Sequence, residues 1–149
     1  MILHTKSVGE NYFRLFISMG IFSNIDSRLE QFAIKQNARL TRNRENCDVE
    51  LGFEERRIDW IKDNIRLAVI IQPNFNNGVD ISKWNFKNVA WKYMGAKRFQ
   101  ISKNLIELSN FQEIEDHLDE ALTKSDLFLN NIRFEDLELA YFNHSKDVK

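Results

Sequence analysis

The chain has 149 residues, 43% of them hydrophobic and 29% charged, with twelve Phe, three Trp and three Tyr. That length and balance fit one globular domain, 1–149, with an aromatic core, and a single Pro with five Gly excludes long linkers and low-complexity tracts. The formal net charge of -1 excludes a global field that would draw the whole molecule to nucleic acid or to a membrane, so any such contact must come from local charge.

No apolar run approaches the ~18 residues of a membrane span. Met1 to Lys6 lacks a basic-then-apolar signal pattern. Cys47 is the single cysteine, which rules out an intramolecular disulfide. These features lead to an expectation of a cytoplasmic protein with no membrane partner.

In chain order, Ser7-Val8-Gly9-Glu10 has the Ser-x-x-Glu form of a capping box. The apolar residues Tyr12, Phe13, Phe16 and Ile17 follow at helical spacing, although the same stretch, residues 8–20, also reads as a strand. The next segment has Ser23 or Asn24 as a cap. Ile25, Leu29, Phe32 and Ala33 then line one helical face, and Asn37 closes it. Extended segments come next, over Arg39 to Arg44 and Val49 to Phe53. Arg57 to Ile61 then turns through Lys62-Asp63-Asn64 into Ile65 to Pro73.

That last segment holds the longest unbroken apolar run, Leu67 to Ile71, with three β-branched residues of five. Such a run predicts a central strand buried on both faces, ending at Pro73, which has no N–H for a ladder. Asn77-Gly78 marks a tight turn. Asn88 to Met94 predicts a strand with Val89, Trp91 and Tyr93 on one face and Ala90, Lys92 and Met94 on the other. Gly95-Ala96 turns it into Arg98 to Ile101. Trp84 falls before that strand, at a loop edge, and is the aromatic expected to be exposed.

Ser109-Asn110-Phe111-Gln112 is a second capping-box form. Phe111, Ile114, Leu118, Ala121 and Leu122 form an apolar stripe, with Glu113, Asp116, Asp119 and Glu120 opposite. The segment from Leu127 to Tyr141 stays partly apolar and reads as a short helix or strand, fraying from Asn143. The order predicts an α+β fold: an antiparallel β-meander sheet with N-terminal helices and a C-terminal amphipathic helix packed on it.

Charge is segregated. Ile81 to Ile106 has no acid and carries Lys83, Lys87, Lys92, Lys97, Arg98 and Lys103, a local +6. Glu107 to Leu139 has ten acids against Lys124 and Arg133, a local -8. Either the two signs meet where helix packs on sheet, or a charged surface faces a partner.

The basic stretch interleaves its cations with Trp84, Phe86, Trp91, Tyr93 and Phe99, a mixture that nucleic-acid binders use for phosphates and bases. A strand with aromatics inward and Lys outward gives the same alternation. Arg39, Arg42 and Arg44 form a second basic patch, of the kind that protects sheet edges. Asp48 and Glu50, two apart, would share a strand face and could hold Mg²⁺ for phosphodiester cleavage, but no acid-x-Lys pair follows at the spacing such nucleases use. His4, His117 and His144 make no zinc spacing, and no phosphate loop or dinucleotide fingerprint occurs, so no cofactor is expected.

The pattern favours binding over chemistry. The first expectation is a small module that masks or docks a partner protein, in the manner of an immunity or antitoxin-type inhibitor. Its contacts would be Lys83, Trp84, Lys87 and Lys92 on the basic side and Asp116, Asp119 and Glu120 on the acidic side. The alternatives are a nucleic-acid-binding domain using 83–98 and a metal-dependent hydrolase using Asp48 and Glu50.

Overall fold

The computed structural model describes residues 22–43, 55–76, 80–108 and 110–147. The expected elements over 8–20 and Val49 to Phe53, and the turn at Asn77-Gly78, lie outside these residues, as do Asp48 and Glu50. In chain order the described elements are α1 (Asp26–Gln36), β1 (Arg39–Asn43), β2 (Glu55–Lys62), β3 (Ile65–Asn76), β4 (Asp80–Met94), β5 (Lys97–Leu108), α2 (Phe111–Asn130) and α3 (Phe134–Asp147). The strands form one antiparallel sheet in sequence order, β1-β2-β3-β4-β5, and the fold is α+β. No helix among the described residues is long and apolar enough to cross a membrane.

The central strand is β3, and its apolar run is buried on both faces, as its composition requires. Leu67, Val69 and Ile71 enter the main core, while Ala68 joins Val89 and Trp91 on the other face with Ile70 against them. The strand does not stop at Pro73 but continues to Asn76. Among the described residues the β2 ladder ends at Arg56↔Ile71, and the partner of Pro73 is Trp84 of β4.

Two short hairpins set the register. Asp63 and Asn64 have φ 53° and 64°, the paired positive angles of a type I′ turn, which Asp and Asn accept more readily than most residues. Gly95 has φ 66° in the two-residue link between Met94 and its partner Lys97. The long ladder of β4 with β3 carries β4 back to Asp80, so Lys83 and Trp84 lie inside a strand rather than at a loop edge.

All three helices meet the main core. It joins Leu29 and Phe32 of α1, Ile114 and Leu118 of α2 and Leu137 of α3 to one face of the sheet. The apolar stripe of α2 is buried as its spacing predicts. Asn88, fully buried on β4, donates to Ser125 Oγ of α2 at 2.9 Å and fixes helix to strand. The helix caps differ from the sequence signals. Ile25, not Ser23 or Asn24, precedes α1 and offers no side-chain cap, because Phe22 and Ile25 are both drawn into the core. At α2 the cap is Asn110, whose Oδ1 accepts from Glu113 N at 3.1 Å, one residue later than the Ser109 box. The last helix runs to Asp147, past the expected fraying point at Asn143.

Candidate functional site on the open sheet face

With the helices on one side, the opposite face of the sheet is covered by no described helix. Strand alternation places the side chains on it. Register aligns Ile61, Arg66, Trp91 and Gln100 in one row across β2 to β5. The next row holds Arg39, Asp59, Ala68, Val89 and Ser102. Beyond it lie Arg57, Ile70, Lys87 and Asn104. Tyr93 and its partner Arg98 close the other end.

Trp91 anchors this face. It packs with Ala68 and Val89 and is only 9% exposed. Guanidinium groups flank it: Arg57 stands 5.5 Å and Arg98 5.1 Å from the indole centroid. Arg98 also lies 5.7 Å from the ring of Tyr93, which is 57% exposed. Each such contact is worth about 0.5–1 kcal/mol near the surface, enough to hold long Arg side chains in place. Asp59 accepts from Arg57 at 3.4 Å. At the β1 edge a hollow of about 520 Å³ has Arg39 and Arg66 on its rim and Trp91 and Ile61 among its walls. The face therefore holds Arg39, Arg57, Arg66, Lys87 and Arg98, with the carboxylates Glu55 and Asp59 of β2 on the same side.

The residues expected to form the site are divided by the fold. Lys83 and Lys87 are on this open face by alternation. Trp84 is not exposed: it is 2% accessible, with Phe22 and Phe111 edge-on at 5.8 and 4.9 Å, because its strand position points into the core. Lys92 points to the helical side, where its Nζ lies 5.2 Å from the Phe134 ring. Lys103 similarly covers Phe128 at 5.1 Å. The alternation of aromatics inward and Lys outward is thus reversed at Trp91-Lys92-Tyr93.

Asp116, Asp119 and Glu120 are exposed on the outer side of α2, on the helical layer. Asp119 pairs with Arg28 of α1 at 2.8 Å, Glu120 with Lys124 at 3.1 Å, and Asp116 accepts from Gln112 at 3.1 Å. Two ion pairs of α2, Arg28–Asp119 and Lys35–Asp126, run to α1, so acids and cations meet between helices. Arg57 and Arg66 were not singled out by the sequence. Their signal was alternation alone, with Arg57 beside Ile58 and Arg66 beside Leu67.

Among the described residues no group of three or more His, Cys, Asp or Glu is placed to hold a metal ion. Comparison of the chain with protein-family models, with curated proteins and with solved structures finds no match.

Proposed function

We propose that the protein is an interaction module that binds a partner protein across its open sheet face, and that the partner presents acidic residues to Arg39, Arg66 and Arg98. One observation carries the reading: a sheet face, covered by no described helix, on which Arg57 and Arg98 clamp Trp91 beside the exposed Tyr93. Trp, Tyr and Arg dominate the residues that carry binding energy at protein interfaces. Here they stand on a rigid sheet, already ordered by their mutual contacts, so little side-chain freedom is lost on docking. The surplus of cations selects acidic partners and speeds encounter. A compact chain with one such surface suits a protein that acts by masking its partner, as immunity and antitoxin-type inhibitors do.

The same mixture of cations and rings gives nucleic acid as a second reading. It is weaker because Trp91 is nearly buried between two guanidinium groups, which leaves Tyr93 as the exposed ring for stacking. Capture from source-cell lysate with the wild-type chain and with Arg66→Glu/Arg98→Glu, each with and without nuclease, separates the readings. The proposal expects a protein held by the wild type, unaffected by nuclease and lost with the double variant. Equal recovery by both chains would overturn it. Recovery that vanishes with nuclease would favour nucleic acid.

A further inference from the structure

The hollow on the open face is framed by charges in a fixed order. Register puts Ile61, Arg66 and Trp91 in one row and Arg39 beside Asp59 in the next, so the two arginines flank β2 from either side. All five residues line the hollow. Its volume of about 520 Å³ lies in the range of ligand sites, ~300–1,000 Å³, and suits a whole residue rather than a lone carboxylate.

Its polar groups are largely unspent. Among the described residues Arg39 and Arg66 have no hydrogen bond or ion pair. Asp59 is engaged through Oδ2, by Arg57 Nε at 3.4 Å, and among the described residues its Oδ1 accepts from nothing. A guanidinium only donates and a carboxylate only accepts. A ligand that satisfies all three side chains therefore carries a carboxylate for the arginines and an N–H donor for Asp59, close together. It also offers an apolar group to Ile61, which is 61% exposed, and to the Trp91 wall. The last residue of a peptide chain has that form, because one carbon atom bears both its amide N–H and its carboxylate. An internal Asp or Glu sets its carboxylate farther from its N–H and must also lead the chain out again.

We infer that the hollow seats the C-terminal residue of the partner protein, an inference that rests on the partner reading above and narrows it. The terminal carboxylate takes the donors of Arg39 and Arg66 in charge-assisted pairs. The N–H of the same residue donates to Asp59 Oδ1, and an apolar side chain covers Ile61. Capture of a chain end through its carboxylate is a recurring mode of peptide recognition. Asp59, an acid among cations, selects a carboxylate with a donor beside it over a bare anion.

Chemical-shift titration of the labelled full chain with acetyl-Ala-Ala-Leu and with its C-terminal amide tests the inference, since neither peptide carries an acidic side chain. The free acid is expected to shift Arg39, Arg66 and the Trp91 indole. The amide binds about tenfold more weakly or not at all, because it loses the charge-assisted contacts. An ester in place of the last peptide bond removes the N–H that faces Asp59 and weakens binding in the same sense. Arg39→Gln/Arg66→Gln changes two exposed positions, so it keeps the wild-type melting curve while erasing the difference between acid and amide. Equal binding of acid and amide, or no binding of the acid, would overturn the inference. Capture from lysate separates this from the partner reading: a protein held by the wild type and lost with Arg66→Glu/Arg98→Glu, but not displaced by the free acid, would leave that reading in place and sink the C-terminal one.

Discussion

Arg56 and Asp26 join β2 to the first turn of α1 through two hydrogen bonds, Nε–Oδ1 at 2.8 Å and Nη2–Oδ2 at 3.1 Å. Their side chains are 0% and 8% exposed, and the guanidinium stacks 4.2 Å from the Phe22 ring. Removing one member strands a buried charge, so Asp26→Ala lowers stability by about 3–5 kcal/mol in urea denaturation, whereas an apolar pair at both positions costs far less. Asn130 is a second tie. Its Oδ1 accepts from Trp60 Nε1 at 3.0 Å, its backbone carbonyl from Lys62 Nζ at 2.6 Å, and its Nδ2 donates to Gln36 and Asp126. Asn130→Ala leaves the Trp60 N–H without its acceptor, a loss of about 1–3 kcal/mol by the same measurement. Neither tie was legible in the sequence. Asp26 reads as an ordinary first-turn acid and Arg56 as a strand cation, and nothing local relates positions thirty residues apart.

At the scale of elements, the strands and hairpins were the legible part, because period-two burial and positive-φ turn residues are local signals. The caps were less so, since burial of Phe22 and Ile25 overrides the side-chain cap at α1. Asn37, at φ 54°, ends α1 in the left-handed region with its N–H on Ala33 O and Ile34 O. Asn37→Val costs about 1–2 kcal/mol from that backbone strain, while Asn37→Gly is neutral or stabilising; thermal melts of the pair check this.

The α1–α2 seam also titrates. Burial works against the charged form of Asp126, but hydrogen bonds from Asn130 and Gln36 and the ion pair with Lys35 outweigh it and hold the carboxyl below its ordinary value of 3.8. A carboxyl lowered by folding adds stability that is present above the unfolded value and is lost as pH falls through the folded one. Stability measured across the acid range should therefore drop at low pH, and Asp126→Asn should flatten part of that slope.

At the scale of the whole molecule, the described residues make a two-sided layer: helices with their acids on one face of the sheet, arginines around Trp91 on the other. The opposed charge was visible in the sequence as a basic stretch followed by an acidic one. Its location was legible only in part, because Lys92 and Lys103 turn toward the helices while Arg39, Arg57 and Arg66, from outside the basic stretch, join Lys83, Lys87 and Arg98 on the open face. Trp84 was misplaced for a related reason. Its strand extends nine residues before the obvious alternation begins at Val89, paired along β3 by contacts that no local window contains.

The most direct test is chemical-shift mapping of the labelled chain on titration with a short polyglutamate peptide. The account predicts shifts gathered at Arg39, Arg66, the Trp91 indole, Tyr93 and Arg98, abolished by Arg66→Glu/Arg98→Glu. Shifts confined to the outer side of α2 or to the β5 border, or none at all, would contradict it.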